Sequence, residues 1–183
     1  MEKKNFKIIA AQSNIEWIGR KVTAAHNGTI NIKEGTLVLT NGKPIGGKFV
    51  VDTTSIKILD ITDPATNAQF AGHLASDDFF ASQQYPEALF VITSAEPAGN
   101  NTYIINGDLT IKGITHPAVF NGLLNTSDST LVASGKINVD RTTYDMKFRS
   151  GNYFQNLGDN LIYNNFELEV NIVASEINEF SLA

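Results

Sequence analysis

Hydrophobic and polar residues alternate along most of the chain, which is the pattern of strands that have one buried face. The alternation is clearest near the end of the chain, where Phe166, Leu168 and Val170 are separated by polar residues. It predicts strands at residues 15–22, 28–33, 37–39, 47–52, 88–95, 102–112, 118–124, 131–139, 143–148 and 161–174. Because polar turn clusters separate these short strands, the pattern predicts an all-β sandwich or barrel.

Two Asn-Gly pairs bear on how the strands connect. Asn41-Gly42 lies between two apolar runs, and both residues tolerate the positive φ of a type I′ turn, so a tight hairpin is predicted there. Asn106-Gly107 allows two interpretations. It either turns a second hairpin or lies within one continuous strand that has a local bulge, because the apolar residues on its two sides keep the same parity.

One segment departs from the alternation and is predicted to form a short helix at residues 76–82. Ser76 can cap its N-terminus, and Asp77 and Asp78 suit the positive end of the helix dipole. Pro86 prevents a long continuation, since the residue before a proline disfavours the helical conformation. We therefore expect one short helix in a chain made otherwise of strands and turns.

Length and composition fit one folded domain. The 183 residues are 42% hydrophobic and 18% charged, whereas disordered chains have fewer apolar residues and a larger charge excess. No shift in composition marks a second domain. We expect an N-terminal extension at residues 1–12, one β domain at 13–175 and a C-terminal tail at 176–183.

Charge and cysteine content exclude several classes of function. With 14 Lys and Arg against 19 Asp and Glu, the chain lacks the basic excess of proteins that bind nucleic acids. It has no cysteine, which excludes disulfides, thiolate nucleophiles and iron–sulfur clusters. We expect no transmembrane segment, because no apolar run is long enough, and the first residues lack the apolar run of about 7–15 residues of a secretory signal.

Residues that usually carry catalysis are scarce in this sequence. The three histidines, His26, His73 and His116, share no metal-binding motif, and no nucleophile elbow or phosphate-binding loop occurs. We therefore predict no catalytic residue, no metal site and no cofactor. The alternative is a hydrolase in which His26 or His73 works with Asp77 or Asp78.

Four segments, taken together and in this order, carry a resemblance to a known family. They are Gly72-His73-Leu74-Ala75-Ser76-Asp77-Asp78-Phe79-Phe80 with Tyr85-Pro86 and Phe90, Gly107-Asp108-Leu109-Thr110-Ile111-Lys112-Gly113-Ile114-Thr115-His116-Pro117-Ala118-Val119, Ile137-Asn138-Val139-Asp140-Arg141-Thr142-Thr143-Tyr144, and Leu157-Gly158-Asp159. They resemble the YceI-like family, lipocalin-like barrels that bind polyisoprenoids and related long-chain amphiphiles. The resemblance implies an antiparallel lipocalin-like β-barrel of about eight strands with one short helix. It also places Asn106-Gly107 inside a strand.

The function that the resemblance implies is binding without catalysis. The chain would bind, store or transport a polyisoprenoid (a quinone or prenyl lipid) or a fatty-acid-like amphiphile in an apolar barrel tunnel, with the polar head near the short helix. The residues expected to line this interior are Trp17, Phe49, Val51, Phe79, Phe90, Ile92, Tyr103, Ile105, Leu109, Ile111, Ile137, Met146, Phe148, Phe166, Leu168 and Val170. The alternative is a stress-response or partner-binding module whose barrel core is filled and holds no ligand.

The resemblance bears on partners and compartment as well. It implies a homodimer and an exported, periplasmic protein. The sequence as it stands has no signal peptide, which leaves a cytoplasmic protein open.

Overall fold

The strands close into an antiparallel barrel, described by a computed structural model over residues 2–177. In chain order the elements are β1 (Lys3–Ile8), β2 (Asn14–Lys21), β3 (Ala24–Thr40), β4 (Lys43–Ile58), α1 (Pro64–Leu74), β5 (Glu87–Gly99), β6 (Thr102–Ile111), β7 (Ile114–Ser127), β8 (Thr130–Asp140) and β9 (Asn165–Ile177). The sheet runs from β3 through β2, β9, β8, β7, β6 and β5 to β4, and the pairing of β3 with β4 closes it. The predicted all-β barrel of about eight strands with one helix is confirmed.

Strands β1 and β2 occupy the same position in the barrel, one after the other. Both lie between β3 and β9, because β1 pairs with residues 36–40 of β3 and β2 pairs with residues 24–30. A 3₁₀ turn at Ala10–Gln12 separates them. Nine strands in the described residues therefore fill eight positions around the barrel.

Strand β1 was not predicted from the sequence. The Phe6 side chain of this strand is almost completely buried, and its backbone pairs with β3 and β9. The domain boundary at residue 13 stays a prediction. Most of the predicted C-terminal tail lies outside the described residues, and its first two residues, Glu176 and Ile177, form the end of β9.

Both Asn-Gly pairs have a defined place in the barrel. Asn41 and Gly42 adopt φ angles of 52° and 80° between β3 and β4, so the predicted hairpin is confirmed. Asn106-Gly107 lies within β6, as the resemblance implied, and the hairpin interpretation is wrong. The irregularity is a bulge in the facing strand β5, where Thr93 is the additional residue between two paired positions.

The helix was predicted in the wrong place. Residues 76–82 form turns, whereas the helix lies earlier, at Pro64–Leu74. Its N-cap is Asp63, whose carboxylate accepts a hydrogen bond from the Thr66 amide. Ser76 does not cap a helix, because its hydroxyl donates to the carbonyl of His73 at 2.6 Å. The helix-capping interpretation of Asp77 and Asp78 is therefore wrong too.

Two strand predictions also need correction. Residues 143–148 form no strand: Arg141–Tyr144 is a 3₁₀ turn, started by the side chain of Asp140 and ended by Asp145 at a φ of 61°. The strands predicted separately at 28–33 and 37–39 are one continuous strand, β3, which bulges near Ile32 and Glu34. Long strands of this kind bend around the barrel at such bulges.

The two ends of the barrel differ in packing. At the hairpin end, which carries the turns at residues 41–42, 100–101 and 128–129, the side chains of Phe6, Leu39 and Leu131 are fully buried and fill the interior. The opposite end, which we call the mouth end, carries α1 and the long segment 141–164. There the strands β8 and β9 are joined by irregular chain that stands over the barrel opening and leaves room inside.

Candidate ligand-binding site

A cavity of about 540 Å³ occupies the mouth end of the barrel. This volume lies within the range of about 300–1,000 Å³ that is typical of small-molecule sites. Its apolar lining consists of Trp17, Ile30, Ile56, Ile61, Phe70, Leu74, Phe79, Phe80, Met146, Phe148, Ile162, Phe166 and Leu168. The polar and charged side chains around it are Arg20, Lys21, His26, Thr66, Gln69, His73, Arg141, Arg149, Tyr163 and Asn165.

Helix α1 forms one wall of this cavity. Asp63 at the N-cap and Pro64 in the first turn start the helix, since proline fixes the φ angle that the first turn needs. The Asn67 amide anchors it by donating to the carbonyls of Ile58 and Ile61. The cavity-facing residues of the helix are Thr66, Gln69, Phe70, His73 and Leu74. These positions recur at helical spacing, so one face of α1 lines the site.

The Trp17 indole forms the facing wall, on β2. It lies opposite Gly28 of β3 and opposite Leu168 of β9. A Cβ atom at position 28 would come within 2.6 Å of Trp17 Cζ2, so glycine lets the ring lie against the neighbouring strand. The indole Nε1 is buried and has no hydrogen-bond partner among the described residues.

His73 joins α1 to the segment that follows it. Its ring packs edge-on against Phe79 and Phe148, with centroid distances of 5.0 and 4.6 Å. Its Nε2 lies 2.9 Å from Asp78 Oδ2. The motif Gly72–Phe80 that suggested the family thus forms the last residues of α1 and the turns after it, and its aromatic rings line the cavity.

A second histidine, His26, pairs with Asp60 at the rim. The distance from His26 Nδ1 to Asp60 Oδ2 is 2.8 Å, and the Asn27 amide donates to the other carboxylate oxygen at 3.1 Å. Burial acts to raise the pKa of Asp60, but these hydrogen bonds outweigh it and lower the pKa below its usual value. The pair fixes the β3 wall to the chain that leads into α1.

Arg141 holds the segment over the barrel opening. Its buried guanidinium donates to the carbonyls of Met146, Ile162 and Tyr163, at 2.6, 2.9 and 2.9 Å. Burial lowers the pKa of this group, which nevertheless stays protonated because a guanidinium titrates far above neutral pH. The single Arg141 guanidinium therefore connects three points of the irregular chain, which is a structural role.

Six of the sixteen residues predicted to line the interior surround the cavity: Trp17, Phe79, Met146, Phe148, Phe166 and Leu168. The other ten do not line it and pack in the hydrophobic core or against it: Phe49, Val51, Phe90, Ile92, Tyr103, Ile105, Leu109, Ile111, Ile137 and Val170. Phe90, for example, fills the barrel by packing against Phe49 and Phe120, with ring centroids 6.2 and 5.5 Å apart. A ligand-binding role for any of these residues stays a prediction.

The sequence analysis missed the cavity residues of α1 and of the chain beside it. The missing set includes Ile56, Ile61, Phe70 and Phe80. A signal for Phe70 was present, because Asp63-Pro64 is a helix-start pair and apolar residues follow it at helical spacing. The hollow part of the barrel is therefore bounded by α1 and segment 141–164 as much as by strands.

Residues 2–177 contain no group of three or more His, Asp or Glu side chains placed to hold a metal ion. No helix within the same range has the length and hydrophobicity to span a membrane.

Comparison with known sequences identifies the family. The family model of the YceI-like domain matches residues 6–174, which is nearly the whole barrel. The chain belongs to the YceI-like family. Curated relatives include UPF0312 proteins of Pseudomonas putida strain W619, 32% identical over 99 residues, and of Photorhabdus laumondii, 34% identical over 97 residues. These matches cover 54% and 53% of this chain and 49% and 47% of the relatives, about half of each protein.

Solved structures share the fold of this chain at low sequence identity. BcnA of Burkholderia cenocepacia superposes with a TM-score of 0.71 at 19% identity, covering 92% of this chain and 99% of BcnA. A domain from Saccharophagus degradans, described as polyisoprenoid binding, superposes with a TM-score of 0.68 at 13% identity, covering 94% and 98% of the two chains. At such identities the likeness concerns the fold.

Proposed function

We propose that this chain binds a long-chain amphiphile, a polyisoprenoid or a fatty-acyl lipid, in the mouth-end cavity and stores or transports it without chemical change. The observation that carries the proposal is the cavity itself: about 540 Å³ of space lined mostly by aliphatic and aromatic side chains, with polar groups around it. Family membership and the polyisoprenoid-binding description of the Saccharophagus neighbour support the same ligand class.

The energetics favour a chain-like ligand. Each methylene group that leaves water contributes about 0.8 kcal/mol, so ten buried methylenes supply about 8 kcal/mol before the cost of immobilising the chain. The hairpin end is filled by Phe6, Leu39 and Leu131, so a chain longer than the cavity cannot pass through the barrel. The polar head of the ligand therefore stays at the mouth, beside His26, Gln69 and Tyr163.

The test is a titration that uses the single tryptophan as reporter. Trp17 lies in the cavity wall, so its emission should change when a fatty acid or a prenyl alcohol binds to protein from which lipid has been removed. Ile56→Phe should block the chain by filling the cavity and should weaken binding by at least about tenfold. Ile104→Phe is the matched control, because Ile104 alternates with the core residues of β6 and faces outward.

Two results would contradict the proposal. Equal affinity of the Ile56→Phe and Ile104→Phe variants would show that the ligand does not occupy the cavity. Recovery of the bound lipid with an altered mass after incubation would show that the chain acts on its ligand. Mass spectrometry of the complex, before and after incubation, makes the second measurement.

A further inference from the structure

Exposed aromatic side chains are concentrated around the mouth. Ten large hydrophobic side chains of residues 2–177 are exposed, and the three aromatic ones, Tyr153, Phe154 and Tyr163, all belong to the segment over the barrel opening. Val22 and Leu59, in the neighbouring connections, are 48% and 55% exposed. Single exposed apolar residues are common on protein surfaces, whereas a cluster of aromatic ones at one site marks an interaction surface.

This surface, which we call the mouth face, is held in place by hydrogen bonds. The Ile162 amide donates to the backbone carbonyl of Arg149 and the Tyr163 amide donates to that of Arg20, at 2.9 and 2.8 Å. The Ser150 hydroxyl donates to the Asn164 side chain at 2.6 Å. The exposed rings therefore belong to an anchored segment, so presenting them to a partner requires little ordering of the chain.

The charged side chains that line the cavity behind these rings are positive. Among the described residues, the charged side chains that line the cavity are all cations, although the whole chain has a net charge of −5. Glu167 neutralises Arg20 at 3.0 Å, and Arg141 is buried. Lys21 and Arg149 remain at the opening, and the Arg149 guanidinium lies 5.0 Å from the centre of the Phe148 ring.

Lys147, which does not line the cavity, places another cation beside an exposed aromatic ring. Its ammonium lies 4.8 Å from the centre of the Tyr153 ring and 3.7 Å from the Asp145 carboxylate. One further carboxylate, that of Asp159, is exposed in the same segment. The mouth face therefore mixes aromatic rings with charges of both signs, and the charged side chains in the cavity lining itself are cations.

We propose that the mouth face docks on the surface of a phospholipid bilayer, an inference that rests on the proposed function. Tyr153, Phe154 and Tyr163 would enter the headgroup region, where amphipathic aromatic side chains are favoured. Lys21 and Arg149 would contact lipid phosphates. The cavity would then open onto the membrane, and an apolar ligand would move between the two without crossing water.

A second copy of the chain suits this surface less well. In a symmetric dimer each mouth face would meet its own copy, so the cations around one opening would approach those around the other. Juxtaposed like charges disfavour such a contact. Phospholipid phosphates, by contrast, complement the cations and leave the aromatic rings free to enter the headgroup region.

The experiment is flotation of the protein with vesicles of phosphatidylcholine containing about one quarter phosphatidylglycerol. Wild-type protein should float with the vesicles. Tyr153→Ser combined with Phe154→Ser should lower the partition coefficient by at least about tenfold, because the rings that enter the headgroup region are gone. Val119→Ser combined with Leu123→Ser, which also removes two exposed apolar side chains but from the outer face of β7, should change it by less than about twofold.

A second pair of variants tests the charges. Lys21→Glu combined with Arg149→Glu should weaken flotation at least about tenfold, whereas Lys43→Glu combined with Lys48→Glu, on the β3–β4 side of the barrel, changes the net charge equally and should leave flotation near wild type. The proposal is overturned if wild-type protein does not float, or if either mouth variant floats like its control. It is also overturned if light scattering shows a dimer that the Tyr153→Ser and Phe154→Ser substitutions dissociate without changing flotation.

Probe binding in the absence of vesicles separates this proposal from the proposed function. Tyr153 and Phe154 do not line the cavity, so their double variant should bind a short fatty-acyl probe as tightly as wild type. Loss of flotation with intact probe binding supports membrane docking. A wild-type chain that floats but binds no probe contradicts the proposed function and leaves the docking surface supported.

Discussion

Replacing Gly28 by alanine should destabilise the barrel and reduce the cavity at the same time. The new Cβ would overlap the Lys57 carbonyl oxygen and would lie 2.6 and 2.7 Å from two atoms of the Trp17 ring. The indole can shift only by moving into the cavity, and the carbonyl can shift only by distorting the β3–β4 pairing at Gly28 and Ile58. Overpacking usually costs about 1–3 kcal/mol, and a backbone clash places this variant at the upper end.

Thermal unfolding and tryptophan emission measure the two effects. For a chain of this length, about 3 kcal/mol corresponds to a decrease in melting temperature of about 6–12 °C. Gly46→Ala is the matched control, because a Cβ there meets no atom within 4 Å, and its melting temperature should stay near that of wild type. Trp17 emission should shift in Gly28→Ala and remain unchanged in Gly46→Ala.

A double variant divides the cost between the two clashes. The double variant Trp17→Leu with Gly28→Ala should be more stable than the sum of the two single effects predicts. In the double variant the clash with the indole ring is gone, while the clash with the Lys57 carbonyl remains. The reasoning is refuted if Gly28→Ala melts within about 2 °C of Gly46→Ala and has the same Trp17 emission.

Three further substitutions test the contacts around the cavity. Arg141→Met leaves three carbonyls without their cationic donor and should lower the free energy of unfolding by about 2–4 kcal/mol in urea titrations; a change below about 0.5 kcal/mol would contradict its structural role. Asp60 has a lowered pKa, so its stabilising contribution is present above its usual pKa of 3.8 and is lost as the pH falls. The stability difference between wild type and Asp60→Asn should therefore shrink below that pH, and a difference that grows there would contradict the sign. His73→Ala should leave fatty-acyl probe affinity within about tenfold, since one hydrogen bond contributes about 0.5–1.5 kcal/mol, and a loss above a hundredfold in the folded variant would reopen the catalytic alternative.

The barrel could be predicted from local features because strands and turns leave local signals. In β9, inward Phe166, Leu168 and Val170 alternate with polar residues, and the strand does lie there, although it begins at Asn165 and not at residue 161. Asn41-Gly42 specified its hairpin through the φ angles that those two residues tolerate. Each signal was contained within a few consecutive residues.

The position of the helix depended on contacts that the sequence does not display. Asp63 and Ser76 are both acceptable N-caps by residue type. The Asn67 side chain, which donates to two carbonyls six and nine residues before it, favours the earlier position. Ala81 adopts a φ of 46°, which is incompatible with a helix over residues 76–82. Contacts outside the helix itself thus decided between two N-cap candidates of suitable residue type.

The cavity could be predicted only in part for a related reason. Alternation shows that Phe90 and Leu168 both point into the barrel, but it does not show what lies opposite each of them. Phe90 meets Phe120 and fills its space, whereas Leu168 lies near the mouth, where α1 and segment 141–164 leave the interior open. Whether an inward residue is core or cavity wall depends on parts of the chain far from it in sequence.

The shared barrel position of β1 and β2 has a consequence for the order of folding. Both strands pair with β9, and Ser13 contacts Val173 across 160 positions of sequence. Contacts of such high sequence separation are costly in loop entropy and form slowly. During synthesis, β1 and β2 leave the ribosome long before β9 exists. Neither strand can pair with β9 until nearly all of the domain has been translated. Until then the strand edges that pair with β9 are unpaired, which favours aggregation of the nascent chain.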